Sequence, residues 1–184
     1  VLGDGKGSVG LQGPAVRIRG VAHKARLVFQ AVEQEMEWVD PADFETSGRY
    51  ILAGIPLDLT GLFRYAFNRG GRIHTNSWGG GDAGAYDSQC EQLDRFVWSH
   101  KNFLVLCSAG NDGTDKDGDG KINRMSDTSP GTAKNCLTVG ATERRRTHFN
   151  AEVYGDWWPD DFPAAPFASA PMAERPNQVV AFSS

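Results

Sequence analysis

FLVLCSAGNDG, residues 103–113, runs from an apolar, branched stretch straight into small residues, a glycine and an Asn-Asp-Gly turn. A short apolar run bounded by breakers predicts a buried strand, and the residues after it predict a loop that must come close to something. Four other segments share that pattern: residues 25–32, 72–78, 136–142 and 179–184. With 103–110 they make five expected strands. Two helical patterns lie among the first three. From residue 57, Leu59, Leu62, Phe63, Ala66 and Phe67 fall on one face and the pattern stops at Gly70-Gly71; from residue 85, Cys90, Leu93, Phe96 and Val97 repeat the arrangement. Alternating strands and helices predict a parallel α/β sheet with helices on its faces.

Ligands of such sheets bind beyond the carboxyl ends of the strands. NSWGGGDAG follows the second expected strand and SAGNDG the third. Taken singly, each could be an ordinary glycine turn; glycine also lets a backbone approach a ligand closely. Residues 150–178 carry five of the nine prolines and no period, which predicts an irregular surface excursion pinned by Trp157, Trp158 and Phe162. No internal repeat or clean linker interrupts the chain, so residues 1–184 read as one domain.

With 184 residues and 40% hydrophobic content, the chain is long enough to bury a core. Its net charge of −4 gives no basic field, and the densest basic run, ERRRTH at 143–148, is short, so nucleic acid is not expected as a partner. No stretch approaches the roughly 18 apolar residues of a membrane span, and the first ten residues show no charged-then-apolar leader. Cys90, Cys107 and Cys136 cannot all pair and lack zinc-ligand spacing; two of them sit in apolar runs, which predicts inert, buried thiols.

HTNSWG at 74–79, SAGN at 108–111 and SPGTAKNCLTVGAT at 129–142, in this order and spacing, resemble the middle of a subtilisin-like serine peptidase. GVAHKARLVFQAV at 20–32 and VVAFSS at 179–184 resemble flanking segments of the same family, though His23 stands where proline is usual. The resemblance implies a three-layer α/β core with a mainly parallel sheet, incomplete here because flanking elements are absent. It implies that Asn111 offers its side-chain amide to the oxyanion hole. Ser77, Trp78 and Gly79, with Ser108, Ala109 and Gly110, would form the two walls of the substrate side-chain pocket. Ala53 and Gly54, in LAGIP at 52–56, would belong to an edge that receives an extended polypeptide substrate as an added strand. Without the family context, Asn111 reads as a left-handed turn residue.

Catalysis of this type needs a serine, a histidine and an aspartate. None of His23, His74, His100 and His148 stands in the family's Gly-His-Gly-Thr setting, no serine stands in Gly-Thr-Ser-Met, and no aspartate in Asp-Thr-Gly or Asp-Ser-Gly. The expectation is an internal segment lying between the histidine and serine motifs, inactive alone. Loss of the helix that carries the nucleophile in that family would uncover one sheet face and favour self-association. Secretion or a cell surface follows from the resemblance.

A second chemistry lies in DKDGDGKINRMSD, residues 115–127. Asp115, Asp117 and Asp119 alternate before Gly120 and Ile122, as at the start of an EF-hand-like calcium loop. Lys121 would offer its carbonyl. The twelfth position is Ser126, so Asp127 would have to complete the shell; the plain alternative is a solvated acidic turn. A calcium-binding interaction module without peptidase activity is therefore the competing function. A doubly wound cofactor domain lacks its Gly-x-Gly-x-x-Gly turn.

Overall fold

The computed structural model describes residues 2–6, 19–144 and 151–184, and the chain divides into two compact units. The first comprises Val1–Ile55 with Asn68–Gly71, the second Pro56–Phe67 with Arg72–Ser184.

In the first unit, β1 (Gln34–Glu35) pairs antiparallel with β2 (Tyr50–Ile51) around α1 (Pro41–Ser47). Asp40 caps α1 by accepting from the Ala42 N–H at 2.9 Å, and Pro41 opens the helix where no N–H is needed. Residues 25–32 form no strand, contrary to the sequence reading. Leu27 and Phe29 are exposed, because no sheet lies against them and pairing begins only at Gln34.

The second unit holds a three-stranded parallel sheet in the order β3 (Ile73–Asn76), β4 (Leu104–Ser108), β5 (Leu137–Val139). Asn76 lies opposite Cys107 and Ser108 opposite Val139. Alternate side chains decide the two faces. His74, Asn76, Val105 and Cys107 turn toward the helices, whereas Ile73, Leu104, Leu137 and Val139 remain exposed. Both α2 (Thr60–Asn68) and α3 (Ser88–Ser99) pack on the first face. Phe63 of α2 meets the His74 ring edge-on at 5.1 Å, and Phe96 of α3 meets Phe103 at 5.4 Å. Among the described residues the second face has no helix on it, in keeping with the expected incomplete α/β core with one face uncovered.

Residues 179–184 are the other correction. Val179 bridges to Thr142, but the chain then turns, with the Ser183 N–H bonded to the Val180 carbonyl at 3.0 Å. Of its remaining backbone groups, the Val180 N–H bonds the Ala141 carbonyl and the Ala181 N–H the Tyr154 hydroxyl, while the Phe182 carbonyl and the Ser184 N–H serve the loop after β4. In the excursion, Tyr154 and Phe162 are the buried anchors, at 2% and 1% exposure, in a small core with Ala181. Trp157 and Trp158, expected as pins, are 60% and 38% exposed. Tyr154 begins the four-residue helix α4 (Tyr154–Trp157), and its hydroxyl accepts from the Ala181 N–H at 3.1 Å.

Helix α3 fixes the segment that enters β5 from both ends. At its start the Asp87 carboxylate accepts from the N–H groups of Gln89 and Cys90, at 2.9 and 3.1 Å, and from the Ser129 hydroxyl at 2.6 Å. About two turns further on, buried Asp94 accepts from the N–H groups of Lys134 and Asn135 and from the Tyr86 hydroxyl. That last bond pushes the Tyr86 phenol up to about 12. The Cys107 thiol is also pushed up, by contact with the Cys136 sulfur and by burial, so it stays protonated.

Burial pushes the Asp87 carboxyl up, but the bonds from Ser129, Cys90 and Gln89 outweigh it and hold the group below its ordinary value. Asp87→Ala is expected to lower stability by about 1–2 kcal/mol, read as a lower urea midpoint at neutral pH. The lowered value makes this contribution complete above the unfolded carboxylate pKa of about 4 and lost as pH falls through the folded one. The gap between wild type and variant should thus narrow in acid.

Candidate active site

Adjacent parallel strands end at one edge, so the register brings the loops after β3 and β4 side by side. Ser77, Trp78 and Gly79 leave β3 directly after Asn76. Ser108 ends β4, and the Ala109 N–H still reaches the Val139 carbonyl of β5 at 3.0 Å. Gly110 follows with φ +122°, a backbone setting that side chains disfavour. Asn111 comes next and is exposed.

Each loop is fastened from outside. The Gly80 N–H bonds the Ser129 carbonyl at 2.9 Å, and a Cβ at Gly79 would stand 2.9 Å from that same oxygen. A Cβ at Gly131 would meet the Ser108 carbonyl at 3.1 Å. Residues 129–131 thus press against both loops. Beyond Asn111, the Asp112 N–H bonds the Ser184 hydroxyl at 3.1 Å and the Gly113 N–H bonds the Phe182 carbonyl at 3.0 Å. The Asn111 side chain itself takes no hydrogen bond among the described residues. A free amide on a pinned backbone can serve a ligand without first breaking a bond.

Ala53 and Gly54 belong to the other compact unit. The Gly54 N–H is bonded to the Val32 carbonyl at 2.8 Å, so that donor is taken. His74 sits among Phe63 and Phe103, where burial pushes its imidazole pKa down, and His100 stacks on Phe96 at 4.0 Å. His23 lies in the first unit, and His148 lies outside the described residues. A shallow groove lined by Asp94, Arg95, Trp98, Ser99 and Asn135 opens near the amino ends of the strands, the end of a parallel sheet where sites do not form.

The acidic loop follows at once. Asp115, Asp117 and Asp119 bring one carboxylate oxygen each within 4.8 Å of one another. Asp127 is not in that group; its carbonyl accepts from the Gly84 N–H at 2.7 Å. The Lys121 ammonium lies 3.4 Å from Asp119. Sequence reasoning gave no role to Ser129, Gly131 and Ser184, which hold the loops. SPGTA was legible as a motif, yet nothing in it announces which carbonyl a distant glycine will meet.

The family model described as Subtilase family matches residues 4–184. Among curated relatives, the serine protease/ABC transporter B family protein tagA of Dictyostelium discoideum is 31% identical over 108 residues, which are 59% of this chain and 6% of that protein. Its counterpart tagD, from the same organism, is 31% identical over 102 residues, 53% of this chain and 5% of that protein. The chain thus spans about one-twentieth of the length of these relatives.

Gly113→Ala is expected to destabilise by about 2–4 kcal/mol, because its Cβ would stand 2.6 Å from the Ala181 carbonyl and 2.7 Å from that of Ser183. Thermal unfolding of the variant at wild-type temperature would show that the two segments do not close on each other.

Proposed function

Because this chain belongs to the subtilase family, we propose that it supplies the oxyanion donor and the substrate-pocket walls of a serine endopeptidase domain. Asn111 carries the reading: an exposed amide without a partner among the described residues, at the carboxyl end of a central parallel strand, on a loop fastened on both sides. In acyl transfer a serine oxygen attacks the peptide carbonyl, a histidine takes its proton, and negative charge collects on the former carbonyl oxygen. An amide N–H already aimed at that oxygen stabilises the charge without reorganising. Ser77–Gly79 and Ser108–Gly110 then flank the side chain before the scissile bond, and the lack of bulk in most of these residues leaves it room. Their neighbours in the sheet give the walls the stiffness that a pocket needs.

Since no triad motif stands in this sequence, the chain alone is proposed to turn over no peptide, and the parent protein to act outside the cytosol. Its exposed sheet face, with Ile73 at 68%, Leu137 at 52% and Val139 at 46% exposure, supports self-association when the chain stands by itself. Sedimentation should show dimers growing with concentration and receding in Leu137→Lys. A monomer at every concentration would remove that part of the reading.

In the parent protein, a fluorophosphonate probe should label an activated serine. Asn111→Ala should lower kcat about 100- to 1000-fold with little change in KM, the loss measured for such a donor in a subtilisin and carried over here by family. An unchanged kcat in the labelled protein would leave Asn111 a turn residue.

A further inference from the structure

We propose that Asp115, Asp117 and Asp119 hold a divalent cation of the calcium type, and that this ion clamps the loop after Asn111 to the proline-rich lobe of residues 153–172. Asp115 sets this cluster apart from a solvated acidic turn: it is 0% exposed, its Oδ2 accepts from the Gly120 N–H at 3.1 Å, and its Oδ1 is buried with no partner among the described residues. A carboxylate oxygen removed from water and left unpaired is costly, and a cation is the partner that repairs it. Oxygens around one calcium ion lie about 2.3–2.6 Å from it, so two of them stand at most about 4.6–5.2 Å apart. The three carboxylates, all within 4.8 Å of one another, fall inside that span.

The donor type selects the metal. The cluster offers only carboxylate oxygen, with neither imidazole nor thiolate to draw zinc. Asp117 and Asp119 are exposed, with Asp119 held by its near neighbour Lys121 through the N–H at 2.9 Å, and side chains so placed suit the flexible shell of calcium better than the strict octahedron of magnesium. The Lys121 ammonium, 81% exposed, can leave Asp119 as the ion arrives.

The loop is also the place where two parts of the molecule meet. The Asp115 N–H bonds the Asp161 carbonyl at 2.8 Å, and Lys116 pairs with the Asp161 carboxylate at 3.3 Å. Gly118 and Gly120 both take positive φ, and a Cβ at either would press on Ala164 or Pro166, at 3.2 and 3.1 Å. Ile122 packs into the Tyr154–Phe162 core. Upstream, the Gly113 N–H ties the same stretch to Phe182. An ion that draws Asp117 and Asp119 onto buried Asp115 therefore tightens the seat of the lobe and the root of the Asn111 loop together.

Calcium chloride titrated calorimetrically into chelator-treated protein carrying this chain reads the ion whether or not the peptidase is active. The expected result is a saturable site with Kd of about 10⁻⁵ to 10⁻³ M, and weaker binding of magnesium. A rise in Tm of about 5–10 °C is expected near 100-fold Kd, together with slower cleavage of residues 153–172 by an added protease. The exposed pair Asp117→Asn/Asp119→Asn should melt like wild type without calcium and lose all of these responses. No heat and no Tm shift up to about 10 mM calcium, or a wild-type isotherm from the double variant, would overturn the proposal.

Discussion

The parallel pairing that sets Asn76 opposite Cys107, and Ser108 opposite Val139, does more than close a small sheet. Parallel strands must finish at a common edge, and a shift of one residue would turn every side chain to the other face. With this register, Val105 and Cys107 are buried on the same face as His74 and Asn76, while Ser77–Gly79 and Ala109–Asn111 emerge next to each other. Packing on one face and chemistry at one end are consequences of the same ladder.

What the ladder leaves open, α3 and the turn before β5 settle. Two aspartates of opposite situation do this work. Asp87 is largely exposed and satisfies a helix terminus; Asp94 is buried and satisfies two orphan N–H groups of a turn. Each carboxylate binds a segment some 40 residues distant, so the helix acts as a template on which residues 129–135 are laid. Glycines at 79 and 131 then allow backbone to touch backbone, a closeness that any side chain would prevent.

Much of this was legible, and unevenly so. Strands with a partner on each side, or on one side and a helix beneath, came through as short apolar runs: β3 and β4 lie inside their expected spans, and β5 inside the run that ends in VGAT. Helix α3 was announced by its apolar stripe. Residues 25–32 misled because a run of ARLVFQAV states only that burial would be favourable, not that a neighbour exists to provide it. The excursion misled in a different way: tryptophan is large enough to suggest an anchor, yet Tyr154, with one hydroxyl to satisfy and a donor at Ala181 to satisfy it, is the ring that goes inside. SAGN and the alternating aspartates could be picked out as motifs, since a motif is a matter of residue type. The residues that brace them could not, because a bracing role is a matter of which carbonyl or hydroxyl arrives from far along the chain.

That distance bears on when the site can exist. The Asp112 N–H is tied to Ser184, 72 residues later. At a synthesis rate of about 5–20 residues per second, roughly 4–14 s separate the two on the ribosome. During that interval β3, α3 and β4 are already made and β5 follows, but the Asn111 loop lacks its outer fastening and the Tyr154–Phe162 core lacks Ala181. The loop that carries Asn111 is thus among the last features to acquire a fixed position, although the strand it leaves is made before β5.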